Sequence, residues 1–242
     1  QQKLLYFTPC LMSALLNLES VSKRFGFRNI LNNINFSLDT GEFVMLIGNN
    51  GAGKSTLLRI ISSLMKPSNG EITFRGTNQK DNLLEWLMIM GSITHENRLY
   101  ADLNSIDNLR LYGTLYGVED LNSKIDAVLA KIDLSHVSQL PVRNFSSGMT
   151  KRLMIGRLML CKPEILILDE PYTGLDQNSF RWFQEYLREF HQQGGTVLMV
   201  THQIELGLEL ATRVLVLHHQ NIKYDISSAG LSVERCSALL EE

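Results

Sequence analysis

Residues Gly48–Thr56, reading Gly-Asn-Asn-Gly-Ala-Gly-Lys-Ser-Thr, carry the most legible chemistry in this chain. They fit G-x-x-x-x-G-K-[ST], follow the apolar run Phe43–Ile47 and precede the helical pattern Leu57–Leu64. A buried strand, a glycine-rich turn and a helix start together make a phosphate-binding loop. Gly48, Gly51 and Gly53 let the backbone close around an anion, so that successive N–H groups form a positively polarised nest. The helix that follows aims its dipole at the same point. Lys54 reaches the β- and γ-phosphates and Ser55 offers a hydroxyl to Mg²⁺. Asn49, Asn50, Ala52 and Thr56 complete the candidate binding segment. A chance match of the four fixed positions arises on the order of once in a hundred chains of this length, and the flanking elements make it rarer. The segment implies a nucleoside triphosphate.

A second group stands at Ile165–Glu170, four apolar residues ending in Asp169 and Glu170. A buried strand that stops at a carboxylate puts the charge at the carboxyl edge of a sheet, where α/β proteins bind their ligands. Asp169 suits a Mg²⁺ ligand near the phosphate loop. Glu170 suits a general base that orients and deprotonates an attacking water. The alternative is a solvated acidic pair at a strand end. The phosphate loop elsewhere in the chain favours the chemical role.

The elements that must position these groups follow from apolar periodicity. Leu15–Ser20 and Ile30–Leu38 alternate as strands, and Phe43–Ile47 reads as a fully buried one. Glu71–Phe74 and Met88–Thr94 are further short strands. Ser105–Tyr116, Leu121–Ile132 and Ser147–Cys161 have helical spacing. Buried strands return at Ile165–Leu168 and Thr196–Val200, separated by a helix over Ser179–Gln192 that ends at Gly194-Gly195. Val214–Leu217 and Asn221–Ile226 form a closing hairpin. Strands alternating with helices imply an α/β fold with a parallel sheet covered on both faces. The helical middle section reads as an inserted subdomain.

The chain has 242 residues, 44% hydrophobic, enough to fill a core. Net charge is −2 and no lysine/arginine run exceeds two residues, which argues against tight nucleic-acid binding. Cys10, Cys161 and Cys236 are few, scattered and odd in number, as expected of reduced thiols in a cytosolic protein. Cys161 closes an apolar helix and reads as a core residue. The apolar stretch Leu4–Leu16 is interrupted by Pro9 and falls short of the roughly 20 residues that span a bilayer. With Lys3 its only preceding basic residue, it makes a poor signal peptide. The chain starts with Gln1, so its start is expected to be processed, trimmed or engineered, with Met12 as an alternative start.

Together these motifs resemble the nucleotide-binding subunit of an ATP-binding-cassette transporter, from about residue 15 to 226. The family's L-S-G-G-Q segment stands here as Phe145-Ser146-Ser147-Gly148-Met149, with only Ser146 and Gly148 kept. That segment implies that Ser146 and Gly148 face the γ-phosphate bound by a partner subunit; Ser146 also reads as a helix N-cap. Thr173-Gly174-Leu175-Asp176 resembles the loop that communicates across the dimer, and Asp176 is equally a cap for the next helix. His202 stands where the family has its switch histidine. Phe25, in Lys23-Arg24-Phe25-Gly26, matches the aromatic that stacks on adenine; without the family it reads as core. The remaining histidines, His136, His191, His218 and His219, read as surface or packing residues.

His95 departs from the family, which has a Mg²⁺-ligating glutamine at the end of the strand leading into the helical subdomain. A neutral imidazole is a poorer ligand for a hard cation than an amide oxygen, so His95 acts directly, through water, or only in coupling. The stretch Gly91–Tyr100, with Asp102-Leu103, Asn108-Leu109 and Leu111-Tyr112-Gly113, resembles the ATPase subunit of the haem exporter of cytochrome c maturation. There Leu99 and Tyr100 would line a groove for the membrane subunit; alternatively both pack inside the helical subdomain.

The resemblance implies a P-loop NTPase core with parallel sheet, an N-terminal antiparallel β subdomain and an inserted helical subdomain. The cassette would occupy residues 13–230, with the helical subdomain at about 95–161. A segment without assigned function would precede it at 1–12, and a C-terminal helix would follow at 231–242. It further implies an ATPase that uses ATP and Mg²⁺ and pairs as a homodimer or with another cassette. Such an ATPase works peripherally on the cytoplasmic face of the membrane, with integral membrane transporter subunits and without nucleic acid. A cassette without its own membrane segment would not transport alone. The rival class is a non-transport cassette ATPase. Chromosome-maintenance types place long coiled coils between the phosphate loop and the carboxylate strand, and the interval from Lys54 to Asp169 has room only for a helical subdomain. Ribosomal types carry two cassettes per chain, and this chain has one. A third reading, a nucleotide-binding regulator without turnover, is disfavoured by the intact Glu170 and His202.

Overall fold

The computed structural model describes residues 14–94 and 98–241. The chain starts with a long antiparallel pair, β1 (Leu16–Phe25) and β2 (Arg28–Leu38), and enters the central strand β3 (Phe43–Gly48). After the phosphate loop come α1 (Lys54–Ile61), β4 (Asn69–Phe74), the two-residue β5 (Thr77–Asn78), α2 (Leu83–Ile89) and β6 (Met90–Ile93). Three helices follow, α3 (Ser105–Leu115), α4 (Leu121–Lys131) and α5 (Ser147–Cys161). The chain then alternates: β7 (Ile165–Asp169), α6 (Gln177–Gln192), β8 (Thr196–Val200), α7 (Ile204–Leu210), β9 (Arg213–His218), β10 (Asn221–Ser227), α8 (Val233–Glu241).

Two sheets result, a four-stranded antiparallel one ordered β2-β1-β4-β5 and a six-stranded one ordered β10-β9-β3-β8-β7-β6. In the larger sheet all neighbours are parallel except the β9–β10 hairpin. Its inner strands are buried on both faces, so they read as unbroken apolar runs. Alternate side chains nevertheless part company. Val44 and Leu46 join Leu57, Leu58 and Ile61 of α1 and the antiparallel sheet in one core. Phe43, Met45 and Ile47 join Phe183 and Leu187 of α6 and Leu239 of α8 in another. Each such buried side chain contributes about 1.5–3 kcal/mol relative to exposure.

A third core lies among the inserted helices, built from Leu109, Ile125, Leu129, Leu153 and Leu160. α5 serves two cores: Leu153 and Leu160 face its helical neighbours, while Met154, Ile155 and Leu158 face the sheet. This 15-residue helix therefore joins the helical core to the larger sheet.

Five elements differ from the sequence expectation. The strand expected over Met88–Thr94 begins only at Met90, because residues 83–89 form α2. Fully buried Trp86 fixes that helix by donating from Nε1 to the Ile61 carbonyl at 2.9 Å, a contact that no local pattern encodes. β1 runs past Ser20 to Phe25 through an irregularity at which Ser20 adopts a φ of 52°. The short helix α7 and strand β5 had no signal of sufficient length.

At the start of β9, buried Arg213 pairs bidentately with Asp225 of β10, at 2.6 Å on both arms. Arg213 also reaches Glu42 at 3.1 Å and the Ser37 carbonyl at 2.9 Å. The guanidinium thereby pins the edge hairpin to the entry of the central strand.

Candidate nucleotide-binding site

β3 delivers the chain to the phosphate loop at Gly48, where a Cβ would lie 2.5 Å from the Leu217 carbonyl of β9. Only glycine permits that approach. At the other end of the loop Gly53 has φ 109°, and a Cβ there would meet Leu31 at 2.8 Å and the Ile30 carbonyl at 2.9 Å. The loop is thus seated on β2 and β9, and α1 starts at Lys54 with its first-turn N–H groups lacking intrahelical acceptors. Lys54 folds back over the loop, its Nζ donating to the carbonyls of Gly48 at 2.6 Å and Asn49 at 3.1 Å. Burial lowers the pKa of its ammonium, and the charges of Glu170 and Asp169 oppose that shift.

Asp169 is the last residue of β7 and is buried. Glu170 follows with φ 47°, in the left-handed region, its N–H bonded to the Val200 carbonyl at 2.9 Å. His202, just beyond the end of the neighbouring strand β8, donates its backbone N–H to Glu170 Oε2 at 3.3 Å, and its Nε2 lies 3.5 Å from Oε1. Asn50, Gly51, Gly53, Lys54, Ser55 and Thr56 form one wall of a cleft of about 480 Å³. Asp169, Glu170 and His202 form the other, with Arg28 and Ile30 at the side. The cleft therefore joins two cations, Lys54 and Arg28, and the first-turn amides of α1 to two carboxylates and the hydroxyls of Ser55 and Thr56. Those amides and the Lys54 ammonium suit a polyphosphate. Ser55 and Asp169 are hard oxygen donors that suit Mg²⁺.

Other candidates lie elsewhere. Phe25 ends β1 half exposed, with Lys23 Nζ 5.1 Å from its ring centroid. It is not a core residue, and it does not line the cleft. Ser146 caps α5, its hydroxyl accepting from Met149 N–H at 3.2 Å. A Cβ on Gly148 would approach the Gly174 carbonyl at 3.1 Å, so the start of α5 packs on the loop after Glu170. Neither Ser146 nor Gly148 lines the cleft formed by its own chain. Asp176 caps α6 by accepting from Ser179 N–H at 2.8 Å. Asn49 donates to the Leu240 carbonyl of α8 at 3.1 Å, and Ala52 N–H to the Asn49 carbonyl at 3.1 Å; both residues border a hollow beside the cleft. His95 lies outside the described residues, as do residues 1–13 with Cys10. Cys161 is only partly buried, its thiol pKa pushed up to about 11 by desolvation.

Two residues with a place at the site escaped the sequence. Arg28 lines the cleft from the start of β2. Lys151 of α5 donates to the Glu170 carbonyl at 3.1 Å. Both look like ordinary surface cations in the sequence.

The chain belongs to the ABC transporter family, whose family model matches residues 31–173. It is accordingly the ATP-binding, ATP-hydrolysing subunit of such a system. It is 36% identical over 192 residues to the lantibiotic transport ATP-binding protein SrtF of Streptococcus pyogenes, covering 78% of this chain and 80% of that protein. It is 33% identical over 190 residues to the cytochrome c biogenesis ATP-binding export protein CcmA 2 of Cupriavidus metallidurans, covering 78% and 90%. Among solved structures, the ATP-binding subunit of an ABC transporter superposes with a TM-score of 0.86 at 28% identity, covering 94% of this chain and all of that one. No helix among the described residues is long and apolar enough to cross a membrane.

Proposed function

We propose that the chain works as a dimer, each ATP sitting between the phosphate loop of one protomer and the Ser146 segment of its partner. One observation carries this reading: Ser146 and Gly148 begin an anion-suited helix outside the cleft of their own chain. A partner's γ-phosphate gives that helix start a task. In each site Lys54 and the first-turn amides of α1 hold the phosphates, and Phe25 packs on the adenine. Ser55 and Asp169 would hold Mg²⁺, which when bound neutralises charge on the β- and γ-phosphates. Glu170 takes a proton from water as its oxygen bonds to the γ-phosphorus and the bond to the ADP oxygen breaks. His202, placed against Glu170, orients the γ-phosphate. ATP closes the dimer and hydrolysis reopens it, driving membrane subunits carried on other chains, with this subunit peripheral on the cytoplasmic face.

For the cargo we propose haem, delivered for cytochrome c maturation. The likeness of Gly91–Gly113 to that group of ATPases and the 33% identity to CcmA 2 support it. The 36% identity to a lantibiotic transport protein favours peptide export as the second reading. Purification with its membrane subunits, followed by ATPase assay with added haem or peptide, separates the two. Stimulation by haem is expected. Stimulation by peptide alone would remove the haem assignment and leave the cassette mechanism in place.

A further inference from the structure

Lys151 has no part in the mechanism above, yet its ammonium reaches the backbone of Glu170. It stands on α5, just past the Ser146 cap, and donates to the Glu170 carbonyl at 3.1 Å. That carbonyl already accepts from Thr173 N–H at 3.3 Å, so it does not need a second donor to be satisfied. Burying an ammonium here costs solvation, visible as a lowered pKa that the charges of Asp169 and Glu170 partly offset. What the contact adds is direction. Glu170 holds φ at 47°, a region that a residue with a side chain keeps only when its surroundings hold it there. Its N–H is tied to Val200 of β8 and its carbonyl to Lys151, so the two contacts fix the peptide planes on either side of the Glu170 Cα.

We infer that Lys151 is a positioning residue for Glu170, aiming its carboxylate into the cleft and tying that aim to the helix that begins at Ser146. This rests on the reading of Glu170 as the general base. The close approach of Gly148 to the Gly174 carbonyl is a second, independent junction between α5 and the same loop.

The test compares Lys151→Met, which keeps length and removes the donor, with Lys151→Arg, which keeps donor and charge. Steady-state ATPase kinetics and equilibrium binding of ATP are measured on the purified full chain. Lys151→Met should bind ATP with Kd and KM within threefold of the parent and lose at least tenfold in kcat. Lys151→Arg should recover kcat to within threefold of the parent. In Glu170→Gln/Lys151→Met the loss should equal that of Glu170→Gln alone, since a residue acting through Glu170 has nothing left to position. Parental kcat in Lys151→Met, no recovery with arginine, or losses that multiply in the double variant would each overturn the inference. If Lys151→Met fails to bind ATP, Lys151→Gln replaces it in the same comparison, with the same limits. An active Glu170→Gln would instead remove the reading of the base, whatever Lys151 does.

Discussion

Glu170 and His202 meet across the ends of two adjacent strands, with the His202 backbone N–H 3.3 Å from Oε2 and its Nε2 3.5 Å from Oε1. The main chain of His202 thus holds one carboxylate oxygen while its ring stands beside the other, and the carboxylate lines the cleft opposite the phosphate loop. Glu170→Gln preserves the shape and the backbone contact while removing the carboxylate proposed as the base. Turnover should fall by about 10²–10⁴-fold, with ATP binding retained and an ATP-stabilised dimer accumulating on gel filtration. Hydrolysis near the parental rate would remove Glu170 from the role of base.

Sharing of sites between protomers predicts complementation. On the proposed arrangement, Lys54→Ala would break the cleft of its own protomer, whereas Ser146→Arg would break the site of the other. A heterodimer of the two holds one intact site and one doubly broken, so the mixture should hydrolyse ATP faster than either variant alone. Subunit exchange is confirmed by differential tagging. If exchange occurs and no activity returns, either both sites must fire together or Ser146 is only the cap that its bond to Met149 makes it.

How much of this was legible in the chain differs from element to element. The phosphate loop, Asp169, Glu170 and His202 could be read because each is a polar residue at the end of an apolar run, and a parallel sheet sends all such ends to one edge. α2 could not, because a segment as short as Leu83–Ile89 fits strand or helix equally, and the deciding contact comes from α1. Lys151 could not, because its partner is a backbone carbonyl, which has no sequence identity. Arg213 likewise gave no sign of its ion pairs, for Glu42 and Asp225 are far from it along the chain or across a hairpin. The cap at Asp176, by contrast, was visible as an acidic residue just before a helical pattern.

That cap has a pH signature. Hydrogen bonding from Ser179 N–H holds the Asp176 carboxyl below the usual range, so its stabilisation is complete above the ordinary carboxylate pKa. It is lost as pH falls through the lowered folded value. Asp176→Ala should cost about 0.5–1 kcal/mol at neutral pH, the low end for a cap because the site is exposed and screened by solvent. The two proteins should converge in stability as the medium is acidified. Asp176→Asn, also a good cap, should keep most of the stability without the pH dependence. Urea titrations at neutral and acid pH measure both. A constant gap across that range would contradict a charged cap.

Phe25 is half exposed, so truncating it removes little core packing. If its ring stacks on adenine, Phe25→Ala should weaken ATP binding by about 1–3 kcal/mol, as for bases stacked on aromatics elsewhere. Tyrosine or tryptophan should substitute without loss. Calorimetric titration with ATP reads the difference, and an unchanged affinity in a folded Phe25→Ala protein would leave the ring with no part in binding.

Leu99 and Tyr100 looked alike in the sequence, and the fold separates them. Leu99 packs against both the sheet-side core and the helical core. Tyr100 turns outward at 55% exposure, while its backbone is clamped by Asn108, which accepts from Tyr100 N–H at 2.8 Å and donates to its carbonyl at 3.0 Å. The two positions should therefore fail in different ways. Leu99→Asp places a charge among apolar side chains and should lower the melting temperature of the isolated subunit, ATP binding falling with it. Tyr100→Asp should leave melting and ATP binding unchanged and abolish co-purification with the membrane subunit, because a rigidly mounted, exposed aromatic beside Arg98 suits a partner's helix. Undiminished co-purification of Tyr100→Asp would exclude this surface as the docking site. A partner unrelated to cytochrome c maturation would overturn the haem assignment alone, since the cleft and its phosphate loop do not depend on which cargo the membrane subunits carry.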